Sequence, residues 1–262
     1  MTTAPTLTDY ANAQHAAGHS PATIRVRLSY LTRWADVCPD GNWAATTRYL
    51  ATPGWSTQTR ATCAGAIRSW LRWAQRHHHP TLLTPDDIDV PTVAHRAARP
   101  LPAAVIHTAL ARATPAVRLM ILLGREAGLR RAEIAHLHTR DILPGPALLV
   151  HGKGAKDRIV PMSPLLADTL ADVPAGFVFP RGTGHLTPGQ VGYHLAAVLR
   201  GGTAHQLRHT FASVTYASNG HDIRAVQELL GHSSVTTTQA YVAVPADALR
   251  ASVNAASLAA AA

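Results

Sequence analysis

The chain has almost no lysine: two residues, Lys153 and Lys156, against 22 arginines in 262 positions, and both lysines fall within one short segment. Cysteine is equally sparse, and Cys38 and Cys63 have no spacing that would build a disulfide framework or a zinc site; both are expected to be buried thiols. No apolar run approaches the roughly 20 residues that span a bilayer. The best one, 119–123, is bounded by Arg118 and Gly124. The opening MTTAPTLTDY has neither the basic nor the apolar segment of a secretion signal, so no membrane association and a cytoplasmic location are expected. Acidic residues are few as well. Fifteen stand against 24 basic ones, giving a net charge of +9, which points to a polyanionic partner. With 47% hydrophobic and 15% charged residues, neither a disordered tail nor a coiled coil fits.

Phenylalanine and tryptophan divide the chain. All five tryptophans (Trp34, Trp43, Trp55, Trp70, Trp73) precede residue 74, and all three phenylalanines (Phe177, Phe179, Phe211) follow residue 176. This division suggests two cores, joined by the proline-bearing stretch PDDIDVPTVAHRAARPLP at 85–102, which reads as an exposed linker. Domains are expected at 1–95 and 96–262.

Helical signals dominate the first part: 7–17 ended by Gly18, a second helix capped by Ser20 with Pro21 in its first turn, then 43–50 and 56–77. Further helices are expected at 102–113, 116–127, shortly after Gly128, and at 163–171, 188–199, 205–218, 222–230 and 234–241. The segment ALLVHGKGAKDRIVPM (147–162) alternates around a glycine turn as a β-hairpin. The expected fold class is therefore mainly α with a small antiparallel sheet.

Between residues 10 and 85 there are eight arginines and two acids. Arg25, Arg27 and Arg33 lie on the second helix; Arg68, Arg72 and Arg76 recur every four residues on the last. A solvated face is the ordinary reading of such charges. Two faces of one sign with few acidic partners favour phosphate contact instead. The tract His77-His78-His79 before Pro80 reads as a helix end or phosphate contact rather than a metal site.

Five segments carry candidate chemistry: GLRRAE (128–133), HGKGAKDRIVP (151–161), HQLRH (205–209), LLGH (229–232), and Tyr241 nine residues beyond His232. Each alone has an ordinary explanation: an i,i+3 ion pair of Arg130 and Glu133, a hairpin turn, a helix C-cap before His232, a core aromatic. His205 and His209 have metal-pair spacing, but Arg208 between them and the lack of a nearby carboxylate argue against a metal.

As an ordered set these segments resemble the tyrosine recombinase (phage integrase) family, strongly over 98–245 and more weakly over YANAQHAAGHSPATIRVRLSYLTRWA (10–35). The resemblance implies a helical core-site DNA-binding domain followed by a catalytic domain with a C-terminal segment exchanged between protomers. It assigns Arg130, Lys153, His205, Arg208, His232 and Tyr241 to catalysis and Glu133 to holding the site together. It also implies strand transfer through a 3′-phosphotyrosine, needing no cofactor, metal or nucleotide. The implied partner is double-stranded DNA with two inverted core sites, bound by four protomers around two duplexes. With the first helix starting near Leu7, no arm-binding domain is expected before it.

The chemistry agrees with these roles. A phosphodiester passes through a more negative transition state, and arginine offers planar donors that stay charged. His205 and Arg208, three apart on a helix, share a face. Phenol, with a pKa of about 10, needs nearby charge or a base such as His232 to attack phosphorus. The departing 5′-oxygen needs a proton, which lysine can give and arginine cannot; Lys153 suits that task. Lys156 reads as a phosphate contact or a solvated turn residue. Three other activities stay open: a chromosome-dimer-resolving recombinase, a type IB topoisomerase using the same chemistry, and a non-catalytic DNA-binding regulator.

Overall fold

The computed structural model describes residues 6–93, 99–152 and 156–231. Lys153, His232, Tyr241 and the helix expected at 234–241 lie outside these residues. The chain forms two compact units, Met1–Ala94 and His95–Ala262.

The first unit is a four-helix assembly: α1 (Leu7–Ala16), α2 (Pro21–Val37), α3 (Trp43–Leu50) and α4 (Thr57–Arg76). Each start is capped by a side chain the sequence advertises: Thr6, Ser20, Asn42 and Ser56 accept from the third backbone N–H beyond them, satisfying donors that no helical carbonyl can reach. The core is aromatic. Tyr10 and Trp73 meet edge to face at 5.6 Å, as do Trp34 and Trp70 at 5.5 Å and Tyr49 and Trp55 at 5.2 Å. Trp34 also donates through Nε1 to Thr46 Oγ1 at 3.0 Å. Cys38 and Cys63 are buried free thiols, and burial pushes the Cys63 thiol up to about 11.

Most described residues of the stretch 85–102 are exposed, as expected of a linker, but both of its ends are anchored. Residues Pro85–Asp87 form a 3-10 turn, and Pro85 and Ile88 are buried, Ile88 in the first unit's core. At the other end Leu101 enters the second unit's core, and its N–H donates to Thr210 Oγ1 at 2.9 Å. Proline content marked an irregular backbone, but apolar residues at 88 and 101 anchor its two ends.

The second unit is built around α6 (Pro115–Glu126), whose residues 119–124 are all buried; the apolar run 119–123 lies in its central core helix. Around it lie α5 (Ala103–Arg112), α7 (Arg131–His136), α8 (Pro164–Ala171), α9 (Pro188–Val198) and α10 (Ala204–Ser218), and α11 (Ile223–Leu230) packs on α10. The expected hairpin is present as β2 (Ala147–Gly152) and β3 (Lys156–Pro161), in a register pairing Val150 with Arg158, His151 with Asp157 and Gly152 with Lys156. A strand absent from the sequence reading, β1 (Ile142–Leu143), extends it to three strands, and β4 (Pro180–Arg181) with β5 (Gly184–His185) forms a second small ribbon. Two-residue strands carry no alternation to read. No helix among the described residues is long and apolar enough to cross a membrane.

Candidate active site

The site begins with a turn. After α6 the chain reverses at Gly128, which has φ +63°, and a Cβ there would stand 2.5 Å from Phe211 Cδ1. Only glycine meets both the left-handed backbone and the close approach of α10. The turn buries Leu129 completely and leaves Arg130 at the start of α7, with about a third of its side chain exposed.

Glu133, one turn into α7, is the hub. Its carboxylate accepts from the Arg130 N–H at 2.8 Å and from Arg130 Nη1 at 2.7 Å. Arg158 grips it from β3 with both ends of its guanidinium, Nη1 to Oε1 at 3.0 Å and Nη2 to Oε2 at 2.9 Å. Arg208 Nη1 lies 3.9 Å from Oε2. Burial alone would raise the Glu133 pKa; the bonds and charge of Arg158, with those of Arg130, outweigh it and hold the carboxyl at about 2. Three guanidiniums around one carboxylate leave two positive charges in a largely buried cluster, where screening by water is weak.

Arg158 is the residue that sequence reasoning missed. Its signal was available: 158, 160 and 162 share one face of an alternating strand, and Val160 and Met162 are core residues. An arginine on the buried face of such a strand demands a buried anion.

Arg208 lies on α10, whose start is fixed by a reciprocal cap between Thr203 and Gln206. It is wholly buried and donates from Nη1 to the Gly128 carbonyl at 2.5 Å and from Nη2 to the Leu230 carbonyl at 2.6 Å. Arg158 Nε donates to the Leu229 carbonyl at 2.8 Å, so the two arginines close the C-terminal end of α11. That end turns at Gly231, with φ +65°, where a Cβ would stand 2.9 Å from Arg158 Cδ. His232 is the next residue in sequence.

Arg130, Arg131, Tyr193, His205 and Arg208 line one cleft of about 750 Å³. His205 packs edge to face against His209, ring centres 4.5 Å apart. Burial first, then the charges of Arg208 and Arg130, holds its imidazole below the ordinary 6.5, so it is neutral at neutral pH. The structure thus brings Arg130, Glu133, His205 and Arg208 together and adds Arg158. Lys156 opens β3. A cationic, open cleft with a neutral imidazole at hand suits an oxyanion that becomes more negative during reaction.

A phage integrase family model matches residues 103–247, more than half of the chain. The chain is 32% identical over 259 residues to the tyrosine recombinase XerA of Thermococcus kodakarensis, covering 89% of this chain and 88% of that one. It is 36% identical over 227 residues to the tyrosine recombinase XerC of a Methylobacterium species, covering 73% and 68%. This chain belongs to the phage integrase family.

The fold agrees. The structure of the Tn1549 transposon integrase in complex with transposon right end DNA superposes with a TM-score of 0.69 at 18% identity, covering 95% of this chain and 99% of that one. In this recombinase the six N-terminal arginines proposed from sequence are not equivalent. Arg27 is bonded to Gln14 Oε1 of α1, and Arg68 Nη2 lies 3.4 Å from Asp86 Oδ1, an acid one residue beyond the window that made the helix look unpartnered. Arg76 Nε donates to the Arg72 carbonyl of its own helix at 3.3 Å. Arg25, Arg33 and Arg72 are exposed. His77 and His79 pack against Trp73, ring centres 5.4 and 5.3 Å away.

Proposed function

We propose that this family member cuts and rejoins duplex DNA with Tyr241 as nucleophile and the Glu133-centred cluster as its charge frame. The phenol oxygen forms a bond to phosphorus, the bond from phosphorus to the 5′-oxygen breaks, Lys153 protonates that oxygen and His232 manages the phenol proton. The 3′-phosphotyrosine conserves the bond energy, so the reverse attack by a 5′-hydroxyl completes strand exchange without nucleotide or metal. The observation that carries this reading is the double positive excess around Glu133, opening through Arg130 onto the cleft that His205 and Arg208 also line. Arg130 meets the phosphate; Arg208, covered by protein, supports the frame from beneath. The N-terminal unit serves as the core-site-binding domain, contacting phosphates chiefly through Arg25, Arg33 and Arg72, and four protomers assemble on two duplexes carrying inverted core sites.

A nicked suicide duplex tests the reading. Wild-type protein is expected to form a covalent adduct and then join strands between two duplexes. Tyr241→Phe is expected to bind DNA and form no adduct, whereas Tyr193→Phe, altering the tyrosine that lines the described cleft, keeps it. An adduct that survives Tyr241→Phe and disappears with Tyr193→Phe would transfer the nucleophile. Adduct without strand exchange would favour a topoisomerase.

A further inference from the structure

His151 stands near the end of β2, two residues before Lys153 in the sequence. Both of its ring nitrogens face carboxylates. Nδ1 lies 3.0 Å from Oδ2 of Asp157, its partner across the hairpin, and Nε2 lies 3.3 Å from Oδ1 of Asp141. Asp141 belongs to a 3-10 turn, Thr139–Asp141, and is buried. Its other oxygen accepts from the His138 N–H at 3.0 Å, so it is a fixed post of the second unit's body. A neutral imidazole has one donor and one acceptor, and carboxylates only accept. Two carboxylate contacts therefore require both nitrogens to carry hydrogen.

We infer that His151, as an imidazolium held between Asp141 and Asp157, is a positioning residue that braces the hairpin carrying Lys153 and lets it go when the ring loses its second proton. The hairpin's two strands are tied to each other by their own ladder; His151 ties them to the 139–141 turn. His151 and Asp141 also line, together with Arg130, Glu133 and His136, a second cleft of about 380 Å³.

The nearest charges favour the ionised ring. Asp157 faces it from β3 and Asp141 from the 3-10 turn; Arg140 Nε lies 4.0 Å from the same Asp141 oxygen, Oδ1, that His151 Nε2 meets at 3.3 Å. Arg130, Glu133 and His136 face it across the cleft. Hydrogen bonding to Asp157 is the largest influence; with the bond to Asp141 and the charges of both carboxylates it outweighs the opposing effect of burial and holds the imidazole above 6.5. A raised histidine pKa contributes below its unfolded value and is lost as pH rises through the folded one, so the brace is complete in mild acid and weakens in base.

This inference rests on Lys153 as the acid for the leaving oxygen, and its test separates the two. Single-turnover cleavage is measured across pH on ordinary DNA and on DNA with a bridging 5′-phosphorothiolate, whose sulfur leaves without protonation. His151→Gln is expected to lower cleavage of ordinary DNA on the order of tenfold or more, the scale of a slightly misplaced catalytic group, with the phosphorothiolate rate near wild type. His151→Arg, which keeps charge and two donors, is expected to restore most of that loss and to remove the component of the pH profile due to the ring. Nitrogen-15 spectra at pH 6.5 are expected to show both ring nitrogens of His151 protonated in most molecules. A mainly neutral ring, an unchanged rate in His151→Gln, or equal losses on both substrates would overturn the brace. Wild-type protein that forms no adduct on either substrate would instead bring down the catalytic reading, and the ring spectrum would still decide the ionisation.

Discussion

Arg158 and Arg208 hold consecutive carbonyls at one helix end: Arg158 Nε bonds Leu229 at 2.8 Å and Arg208 Nη2 bonds Leu230 at 2.6 Å. Carbonyls at a helix C-terminus lack intrahelical donors, and here two cations from β3 and α10 supply them. Both cations also neighbour Glu133. The end of α11, from which the chain continues into His232, is thus set by the same carboxylate that sets Arg130.

Arg158→Lys is expected to unfold more easily by roughly 2–5 kcal/mol, because a point charge cannot replace a bidentate grip on a buried carboxylate together with a third bond. DNA affinity should stay near wild type while cleavage falls. Urea denaturation and filter binding measure the two, and wild-type stability would show that Arg158 does not organise the cluster.

Acid should dissolve the same arrangement. A carboxyl held at about 2 against an ordinary 4.5 contributes stability that is fully present above 4.5 and is lost as pH falls through about 2, an order-of-magnitude total of roughly 3 kcal/mol. The difference in unfolding free energy between wild type and Glu133→Gln is expected to be large at pH 6 and to shrink steadily below pH 4.5. A pH-independent difference would contradict the linkage.

Arg130 and Arg208 should part company in a comparison of their alanine variants. Arg130→Ala, removing a partly exposed donor, is expected to lower the cleavage rate by about 10²–10³, the usual effect of deleting a preorganised transition-state donor, with little change in melting temperature. Arg208→Ala should lose cleavage and also melt earlier, since the Gly128 and Leu230 carbonyls forfeit their donor. Thermal melts beside single-turnover kinetics settle it; equal melting of the two variants would contradict the division.

Gly128→Ala asks the backbone for a left-handed alanine and sets a Cβ 2.5 Å from Phe211 Cδ1. Strain costs about 1–2 kcal/mol and overpacking about 1–3 kcal/mol more. Gly128→Ala paired with Phe211→Leu should recover part of the loss, and calorimetry of the single and double variants checks this.

Local signals made much of the molecule legible in the sequence. The Ser20 cap, the proline that follows it and the alternation of 147–162 are written in neighbouring residues, and the second helix and the hairpin follow from them. Arg130, His205 and Arg208 were found because their order along the chain resembles a family, and the cleft they share is real geometry. What stayed hidden depends on partners distant in sequence. Arg158 declares itself only beside Glu133, 25 residues away. Asp86 belonged to the supposed linker until its contact with Arg68 appeared. His151 looks like any turn-flanking histidine until Asp141 is placed against it.

Glu133's cluster is also among the last contacts the chain can complete during synthesis. Its ties join Gly128 to Arg208 across 80 residues and Arg158 to Leu229 across 71. Long closures of this kind form after local helices and hairpins, because loop entropy is lost before the contact is made. A nascent chain that has not yet reached Gly231 holds Arg130 and Arg158 beside Glu133 at most, with α11 unanchored. The charge frame proposed for strand cutting is therefore complete only once nearly the entire second unit has been made.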